Sequence, residues 1–524
     1  MTDIVNVIDA NDNNRRIARH IGLKKSDIET LRQAISNSVL NEFDYKIHDM
    51  SDLLKDESIQ PVERVKNAMR RFGRMSVSEI ITPSNRAKEI VDILPEDCFS
   101  QNKKILDIAS KQGEFTCALY ERYCELGNED GKKNIYAIPT STSGEEFTRK
   151  VFSLLGIPSK NIIKDYNTFD LIDSSKNEKY IKALKDMKFD AIVGNPPYQE
   201  KGKLGGNGDA PIYQDFASIS RKIESKYIVF IIPSKWFTSG SKRLLGPFRK
   251  EMLQGKRISK MVAYANSYDV FPKPVEIKGG VCYFLENNSY QGNCDYTFIN
   301  GGEIITDNLN LGALDIFIRI PRVSKIVQKV HSKGEESLSQ IISSDTPFGF
   351  PSNVKKSKKR HFDVSEKKDR EFNTAIYLIE TERKIEYVRR KDVKKNIQDI
   401  GKWKVLLTEA GGSGNDKIVL GEPVIARPNS VCTQSYLYIP VNNRNEACNL
   451  IKYIKTRFVR FLVSSIKITQ HAQANVYEYV PLQDFTKDSD IDWSKSIDEI
   501  DNQLYAKYGI EDEIAFIRSV IKPM

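Results

Sequence analysis

The feature that most constrains the fold is a series of short apolar runs between residues 102 and 290, each bounded by turn residues. The runs are KILDIA (104–109), NIYAIP (134–139), FDAIVGNPPY (189–198) and YIVFIIP (227–233). Between them, GEEFTRKVFSLLG and YIKALKDM have apolar residues at helical spacing. Buried strands that alternate with helices predict an α/β fold with a parallel, doubly wound sheet.

The sequence on either side of this region has a different pattern of apolar residues. Before this region the pattern is helical, and SIQPVERVKNAMRRFG predicts a helix that begins at Pro61 and ends before Gly73. After residue 300, strand-like pieces (AIYLIE, KWKVLLTEAGGSG, EPVIARP, QSYLYIPV) precede one long predicted helix, EACNLIKYIKTRFVRFLVSSI, and a helical tail. We therefore predict a helical N-terminal region (1–74), an α/β domain (75–305), a mixed α+β domain (306–490) and a helical C-terminal tail (491–524).

Composition limits the class of protein. Hydrophobic residues make up 40% and charged residues 29% of the 524 residues, and the longest apolar run is far below the ~20 residues that span a bilayer. The N-terminus has no basic start followed by an apolar segment, so we expect a cytoplasmic protein without a membrane partner. Seven cysteines without a CxxC pair and five scattered histidines predict no metal site. A net charge of +10 suits a polyanionic partner.

The tetrad Asn195-Pro196-Pro197-Tyr198 follows the apolar run FDAIVG at the end of a predicted strand. Ligands of parallel sheets bind at the carboxyl ends of strands, so the position indicates a site. The side-chain carbonyl of Asn195 and the backbone carbonyl of Pro196 are two acceptors, and the prolines restrict how they can move. Two convergent acceptors fit an NH2 group, and Tyr198 offers a flat face for a planar base or amide.

This arrangement favours methyl transfer to a conjugated amine. Such a nitrogen is a poor nucleophile, but two acceptors that hold its N–H bonds stabilise the charge that develops as it attacks. The electrophile must then be strong and lie in line, as in a sulfonium methyl donor. The alternative is a loop that merely ends a strand and carries a surface tyrosine.

The stretch FDAIVGNPPYQ resembles motif IV of the amino-methyltransferases that methylate adenine N6 in DNA, and further motifs follow in the gamma-class order. The resemblance covers about residues 75–524 and includes a C-terminal part similar to the TaqI-type specificity domain of type IIG-like restriction-modification methylases. It implies a Rossmann-like methyltransferase domain, S-adenosylmethionine as cofactor and double-stranded DNA as partner. A restriction nuclease or a helicase subunit is a further candidate partner.

The resemblance also implies site residues. SEIITPSNRAKEIVDIL (78–94) and KILDIASKQGEFTCALYERY (104–123) match the segments around the donor. The implied donor-binding residues are Thr82, Pro83, Asp107, Ala109, Gly113, Thr168, Phe169 and Asn195. The implied catalytic residues are Asn195, Pro196, Pro197, Tyr198 and Phe271, of which Tyr198 and Phe271 hold the flipped base. The motif that contains Thr168-Phe169 can also be aligned on Asp165-Tyr166.

Two departures from the family pattern concern the donor site. Ser110, Lys111 and Gln112 replace a glycine-rich turn before Gly113, and Pro139-Thr140 stand where an acidic residue normally holds the ribose. These departures keep a second reading open, a non-catalytic or partner-dependent DNA-recognition subunit. A third reading is a protein glutamine methyltransferase, whose substrate amide would fit the same tetrad.

The C-terminal domain contains a basic run that we predict to contact DNA phosphates. Its residues are Lys355, Lys356, Lys358, Lys359 and Arg360. The glycine-rich insertion KGKLGGNGDA (201–210) beside the tetrad suits a loop that closes over DNA, or an ordinary solvated loop.

Overall fold

The structure is a computed structural model that describes residues 55–72, 80–200, 210–238, 242–273, 275–354, 362–379, 382–409, 418–467 and 472–524. It forms two compact units, one up to Phe317 and one from Ile318 onward. The helical pattern predicted before residue 55 and the glycine-rich segment 201–209 lie outside the described residues.

The helices of the described part are α1 (Pro61–Phe72), α2 (Ser84–Val91), α3 (Glu114–Glu125), α4 (Thr142–Leu155), α5 (Asn177–Asp186), α6 (Tyr213–Lys222), α7 (Lys242–Gln254), α8 (Pro321–His331), α9 (Arg444–Lys455), α10 (Arg457–Ile466), α11 (Ile497–Tyr508) and α12 (Ile514–Val520). In this part no helix is both long enough and apolar enough to cross a membrane.

The strands are β1 (Ile105–Ser110), β2 (Ile135–Pro139), β3 (Ala191–Gly194), β4 (Gln199–Glu200), β5 (Ala210–Pro211), β6 (Tyr227–Pro233), β7 (Ile258–Tyr264), β8 (Val281–Asn287), β9 (Cys294–Asn300), β10 (Glu303–Leu309), β11 (Phe372–Ile379), β12 (Arg383–Arg389), β13 (Trp403–Thr408), β14 (Val424–Ala426), β15 (Ser430–Cys432) and β16 (Tyr436–Val441).

The first unit is built on an eight-stranded sheet with the order β10-β9-β7-β8-β6-β3-β1-β2. The strands β2, β1, β3 and β6 are parallel neighbours, and every residue of β1, β3 and β6 is buried. Helices α1 to α4 pack on one face and α5 to α7 on the other. Cover on both faces explains why these strands are continuous apolar runs. A mixed α/β fold with a large, mostly parallel sheet agrees in outline with the sequence prediction.

Beyond the four predicted strands, which are parallel to one another, the sheet contains antiparallel strands that the sequence did not predict. Strand β8 runs antiparallel to both β6 and β7, between which it lies, and β10 is antiparallel to β9. The reason is local, because the end of β7 at Tyr264 pairs with the start of β8 at Val281. The connecting segment thus reverses the chain at one edge, without a crossover helix. Its last residue, Gly280, has φ +74°, and a Cβ there would meet the Tyr264 carbonyl oxygen at 2.0 Å.

The second unit contains two three-stranded sheets, with the orders β12-β11-β15 and β14-β13-β16. Their apolar faces share one core, which includes Phe348, Ile376, Leu406 and Val431. The strands that AIYLIE, KWKVLLTEAGGSG, EPVIARP and QSYLYIPV predict correspond to β11, β13, β14 and β16. The finer division of this region into a recognition domain and a tail stays a prediction.

The single long helix predicted for 446–466 is wrong, because the chain breaks between α9 and α10 at Thr456. Thr456 has an extended ψ of 149°, and its hydroxyl accepts a hydrogen bond from Val459 N at 3.2 Å. The buried carboxylate of Asp501, on α11, accepts from the N–H groups of Arg457 and Phe458 at 2.9 and 2.8 Å. A cap from the side chain of another helix makes a new helix start favourable here, and local helical spacing does not reveal it.

The first unit contains a buried ion cluster that makes a stability prediction possible. Arg221 donates to both carboxylate oxygens of Glu286 at 2.8 Å, and Arg257 donates to one of them at 2.9 Å. Glu286 is 1% exposed, so its removal would leave two guanidinium groups without their shared anion. We expect Glu286→Ala to lower the free energy of unfolding by about 3–5 kcal/mol, measured by urea denaturation.

The matched control is Glu251→Ala. Glu251 also binds Arg221, but its side chain is 45% exposed, so we expect a loss of about 0–1 kcal/mol. Equal losses in the two variants would contradict the role given to burial.

Candidate active site

The carboxyl ends of β1 and β3 bring the central residues of the site together. Asp107 lies in β1 opposite Val193 of β3, and the tetrad begins two residues later at Asn195. Gly194, between them, has φ +155°, and a Cβ on it would lie 3.6 Å from the Asp107 carboxylate and 3.4 Å from Ile108. These are ordinary contact distances, so the positive φ and not a lack of space favours glycine at this position.

The side-chain amide of Asn195 has a defined orientation. Its nitrogen donates to the carbonyl oxygen of Ile80 at 2.9 Å and to the Thr82 hydroxyl at 3.0 Å. A carbonyl oxygen only accepts hydrogen bonds, so the atom that faces Ile80 must be the NH2 group. The amide oxygen Oδ1 then lies on the other side, buried and without a hydrogen-bond partner. Among the described residues this oxygen has no donor, so it can accept a hydrogen bond from a bound molecule.

Lys111 connects the same two segments. Its ammonium donates to the carbonyl oxygen of Ile80 at 2.7 Å and to the backbone carbonyl oxygen of Asn195 at 3.0 Å. The turn that contains Lys111 is itself enclosed, because Gly144 approaches it so closely that a Cβ would meet the Ser110 carbonyl oxygen at 3.1 Å. Ser-Lys-Gln thus forms a compact turn before Gly113, although it is not glycine-rich.

Two buried carboxyl groups lie next to the tetrad. Asp107 accepts a hydrogen bond from Ala109 N at 3.3 Å through Oδ1, and Glu114 accepts from Gln112 N at 3.0 Å through Oε2. The other oxygen of each, Oδ2 of Asp107 and Oε1 of Glu114, is buried without a hydrogen-bond partner. Like the amide oxygen of Asn195, these two carboxylate oxygens are buried acceptors that a ligand could use.

Burial disfavours the ionised forms of both acids. It raises the pKa of Asp107 to about 7, and the nearby charge of Glu114 adds to this effect. Burial also raises the pKa of Glu114, while the ammonium of Lys111 opposes the shift in both groups. Ionisation of both acids therefore costs free energy unless a cation lies close to them.

Gly113 and Thr168 lie on the side of the site that is formed by β1 and β2. Gly113, with φ +85°, is the N-cap of α3, and a Cβ there would come within 3.0 Å of Val151. The hydroxyl of Thr168 lies 2.9 Å from the carbonyl oxygen of Ile108 and 3.2 Å from that of Pro139, so it bridges the ends of both strands. Phe169 is half-buried beside it. Asp165 is exposed, and this favours the Thr168-Phe169 alignment.

The end of β2 carries no carboxylate that is free for a ribose. Thr140 donates through its backbone N–H to the carbonyl oxygen of Ser110 at 3.0 Å. Glu145 and Glu146, the nearest acids after β2, both pair with Arg149 on α4. The missing acidic residue noted in the sequence has no replacement here.

The two aromatic residues expected to hold a base are both enclosed. Tyr198 is 8% exposed, and burial raises the pKa of its hydroxyl, which has no hydrogen-bond partner, well above the usual value. Phe271 is fully buried and packs in the core cluster on the other face of the sheet. The structure does not bring the two rings into one cluster, so their joint role stays a prediction.

The remaining predicted residues lie at the edges of the site or outside the described residues. Pro196 and Pro197 are buried in the tetrad, and Pro83 is the half-buried N-cap of α2 directly after Thr82. The basic run Lys355, Lys356, Lys358, Lys359 and Arg360 falls in a segment that is not described.

Sequence reasoning missed Glu114 and Ile80. An acidic residue directly after the turn glycine at a helix start was the available signal for Glu114. Ile80 acts only through its backbone carbonyl, for which no side-chain pattern exists.

Part of this chain is similar to known methylases. Residues 133–271 match the family model of the Eco57I restriction-modification methylase, a range that includes the tetrad and Phe271. A protein of Mycoplasma pneumoniae (strain ATCC 29342 / M129 / Subtype 1), described as an uncharacterized adenine-specific methylase, is 43% identical over 124 residues. That alignment covers 23% of this chain and 29% of the relative, so the chain spans less than a third of that protein's length.

Similar solved structures come from restriction-modification enzymes. The Type IIL enzyme MmeI in complex with DNA has a TM-score of 0.49 at 10% identity, over 88% of this chain and 81% of MmeI. The type IIG restriction endonuclease BpuSI has a TM-score of 0.40 at 13% identity, over 84% of this chain and 62% of BpuSI.

The raised pKa of Asp107 predicts a pH-dependent stability. Between about pH 4 and pH 7 the folded protein keeps a proton that the unfolded chain releases, so stability falls as pH rises through this window. In Asp107→Asn the group no longer titrates. We expect a Tm gain on the order of 3 °C at about pH 7.5 and a smaller gain at about pH 5, without donor, by differential scanning calorimetry.

The control is Asp130→Asn, since Asp130 lies on the surface beside Lys133. Its difference from wild type should stay constant across the same pH range. An Asp107→Asn protein with the pH slope of wild type would contradict the shifted pKa.

Proposed function

We propose that this chain is a DNA methyltransferase that transfers a methyl group from S-adenosylmethionine to N6 of an adenine, in a restriction-modification or phage-defence system. One observation carries the proposal. The amide of Asn195 is fixed by Ile80 and Thr82 so that its oxygen remains a buried acceptor without a partner. The match of residues 133–271 to a restriction-modification methylase family supports the setting.

Asn195 would bind the amino group of the base. Its Oδ1 accepts one N–H, and the carbonyl oxygen of Pro196 is the proposed acceptor for the other. Both acceptors gain strength as positive charge develops on the nitrogen, so they stabilise the transition state more than the ground state. Because the amide nitrogen is already engaged, the side chain does not need to reorient during the reaction.

The acidic pair suits a cationic donor. S-adenosylmethionine supplies, when bound, an electrophilic methyl group on a sulfonium centre, and its amino group is a second cation. Asp107 and Glu114 each have one unused buried oxygen, and an added cation would stabilise their ionised forms. Donor binding should therefore lower the pKa of both carboxyl groups.

A duplex adenine must leave the base stack to reach a buried amide. We propose that Tyr198 and Phe271 hold the extruded base, which requires the enclosed rings to become accessible when DNA binds. The proposed phosphate contacts of Lys355, Lys356, Lys358, Lys359 and Arg360 would make DNA affinity salt-dependent. The C-terminal unit would read the target sequence.

A second candidate is a DNA-recognition subunit that binds the donor only with a partner. It is favoured by the end of β2, where Thr140 replaces the expected acid and both following glutamates pair with Arg149. Isothermal titration of the chain with S-adenosylmethionine, with and without DNA, separates the candidates. Binding by the chain alone supports the enzyme, whereas binding only after a nuclease or helicase subunit is added supports the recognition subunit.

The primary test is modification sequencing of DNA from cells that express the protein. We expect N6-methyladenine at one position of a short recurring sequence, absent from cells that express Asn195→Ala. Methylation of cytosine, or none in the presence of measured donor binding, would contradict the proposal.

Substitutions in the tetrad should separate catalysis from DNA binding. We expect Asn195→Ala and Tyr198→Ala each to lower the methyl-transfer rate constant by about 100-fold or more, because each removes a group proposed to contact the base. Specific DNA affinity, measured by fluorescence anisotropy, should stay within about 3-fold, because phosphate and recognition contacts lie elsewhere.

Matched controls are Asn293→Ala and Tyr268→Ala, both in exposed positions outside the site. They should retain the wild-type rate. An equal loss of DNA binding and methyl transfer in both tetrad variants would count against their assigned roles.

A further inference from the structure

Lys111 joins two segments that the site must hold together. It is 5% exposed, and its ammonium contacts the carbonyl oxygens of Ile80 and Asn195 at 2.7 and 3.0 Å. These carbonyls are far apart in sequence, one before α2 and one directly after β3. A single buried cation therefore fixes the distance between them.

The Ile80 carbonyl has two donors, and this couples Lys111 to the Asn195 side chain. The oxygen accepts from Lys111 Nζ at 2.7 Å and from Asn195 Nδ2 at 2.9 Å, which uses both of its lone pairs. Lys111 also holds the backbone of Asn195. Lysine, the Ile80 carbonyl and Asn195 thus form a closed ring of three hydrogen bonds, and the orientation of the amide depends on all of them.

Charge explains why a lysine can be buried here. A buried ammonium needs compensating anions as well as hydrogen bonds. In their ionised forms Asp107 and Glu114 supply negative charge, and the Lys111 charge lowers the pKa of both carboxyl groups against the effect of burial. The backbone carbonyls of Ile80 and Asn195 accept the hydrogen bonds of the ammonium.

We propose that Lys111 is a positioning residue that fixes the amide of Asn195 for substrate binding, an inference that rests on the proposed function. It occupies the turn between β1 and Gly113, and its side chain connects the tetrad to the segment 80–82.

The test compares Lys111→Met, which keeps the length of the side chain but removes charge and donors, with Lys111→Arg, which keeps both. We expect Lys111→Met to lower the single-turnover rate constant at saturating S-adenosylmethionine and DNA by about 10- to 100-fold, the effect of a misplaced binding group. Lys111→Arg should stay within about 10-fold of wild type, and DNA affinity should change by less than about 3-fold in both.

The matched control is Lys103→Met, which removes a lysine just before β1 whose partner is the half-exposed ion pair with Asp190. It should keep the wild-type rate. If Lys111 only stabilised the fold, its substitution would lower the Tm but would not change the methyl-transfer rate of the folded protein. Each variant is therefore assayed at least about 15 °C below its own Tm.

A crystal structure of Lys111→Met gives a second readout that needs no activity. We expect the distance between Asn195 Nδ2 and the Ile80 carbonyl oxygen to become longer than a hydrogen bond. We also expect Oδ1 to point in a different direction. An unchanged amide together with an unchanged rate overturns the role of Lys111 and leaves the proposed function intact. Absence of methyl transfer by the wild type overturns the proposed function, while the crystal structure still decides whether Lys111 positions Asn195.

Discussion

The site depends on the carbonyl oxygen of Ile80, which can only accept hydrogen bonds. A buried asparagine amide has two orientations of similar shape, and only the partners of each end distinguish them. Because Ile80 requires a donor, Asn195 must direct its oxygen away from Ile80, where it is buried without a hydrogen-bond partner. An unsatisfied buried acceptor costs about 1–3 kcal/mol, so this arrangement destabilises the ligand-free protein unless a donor arrives.

The same principle applies to the charges around the tetrad. Asp107 and Glu114 are held close together in the core, where burial favours their protonated forms. One ammonium, that of Lys111, compensates part of their charge through space. A further cation near the two acids would therefore stabilise their ionised forms. Without such a cation, the burial of these acids lowers the stability of the folded protein.

The sequence predicted the parts of the fold that local patterns determine. Continuous apolar runs identified β1, β2, β3 and β6, and the residues after Gly194 were correctly placed at the end of a strand. Features that depend on distant partners could not be predicted. The antiparallel β8 follows from pairing at Tyr264 and Val281, the break at Thr456 follows from a cap by Asp501, and the orientation of Asn195 follows from a backbone carbonyl more than a hundred residues earlier.

Glu114 has a consequence for which small molecules this fold can accept. It is the first residue of α3, and in many α/β proteins the exposed N–H groups at such a helix start attract phosphate. Here a carboxylate from the helix itself already lies at this positive end, with Asp107 beside it. Nucleotides that carry a phosphate chain would meet repulsion where they usually find their anchor. Under the proposed function, an ionised Glu114 would disfavour a nucleoside with a phosphate tail relative to one with a cationic tail.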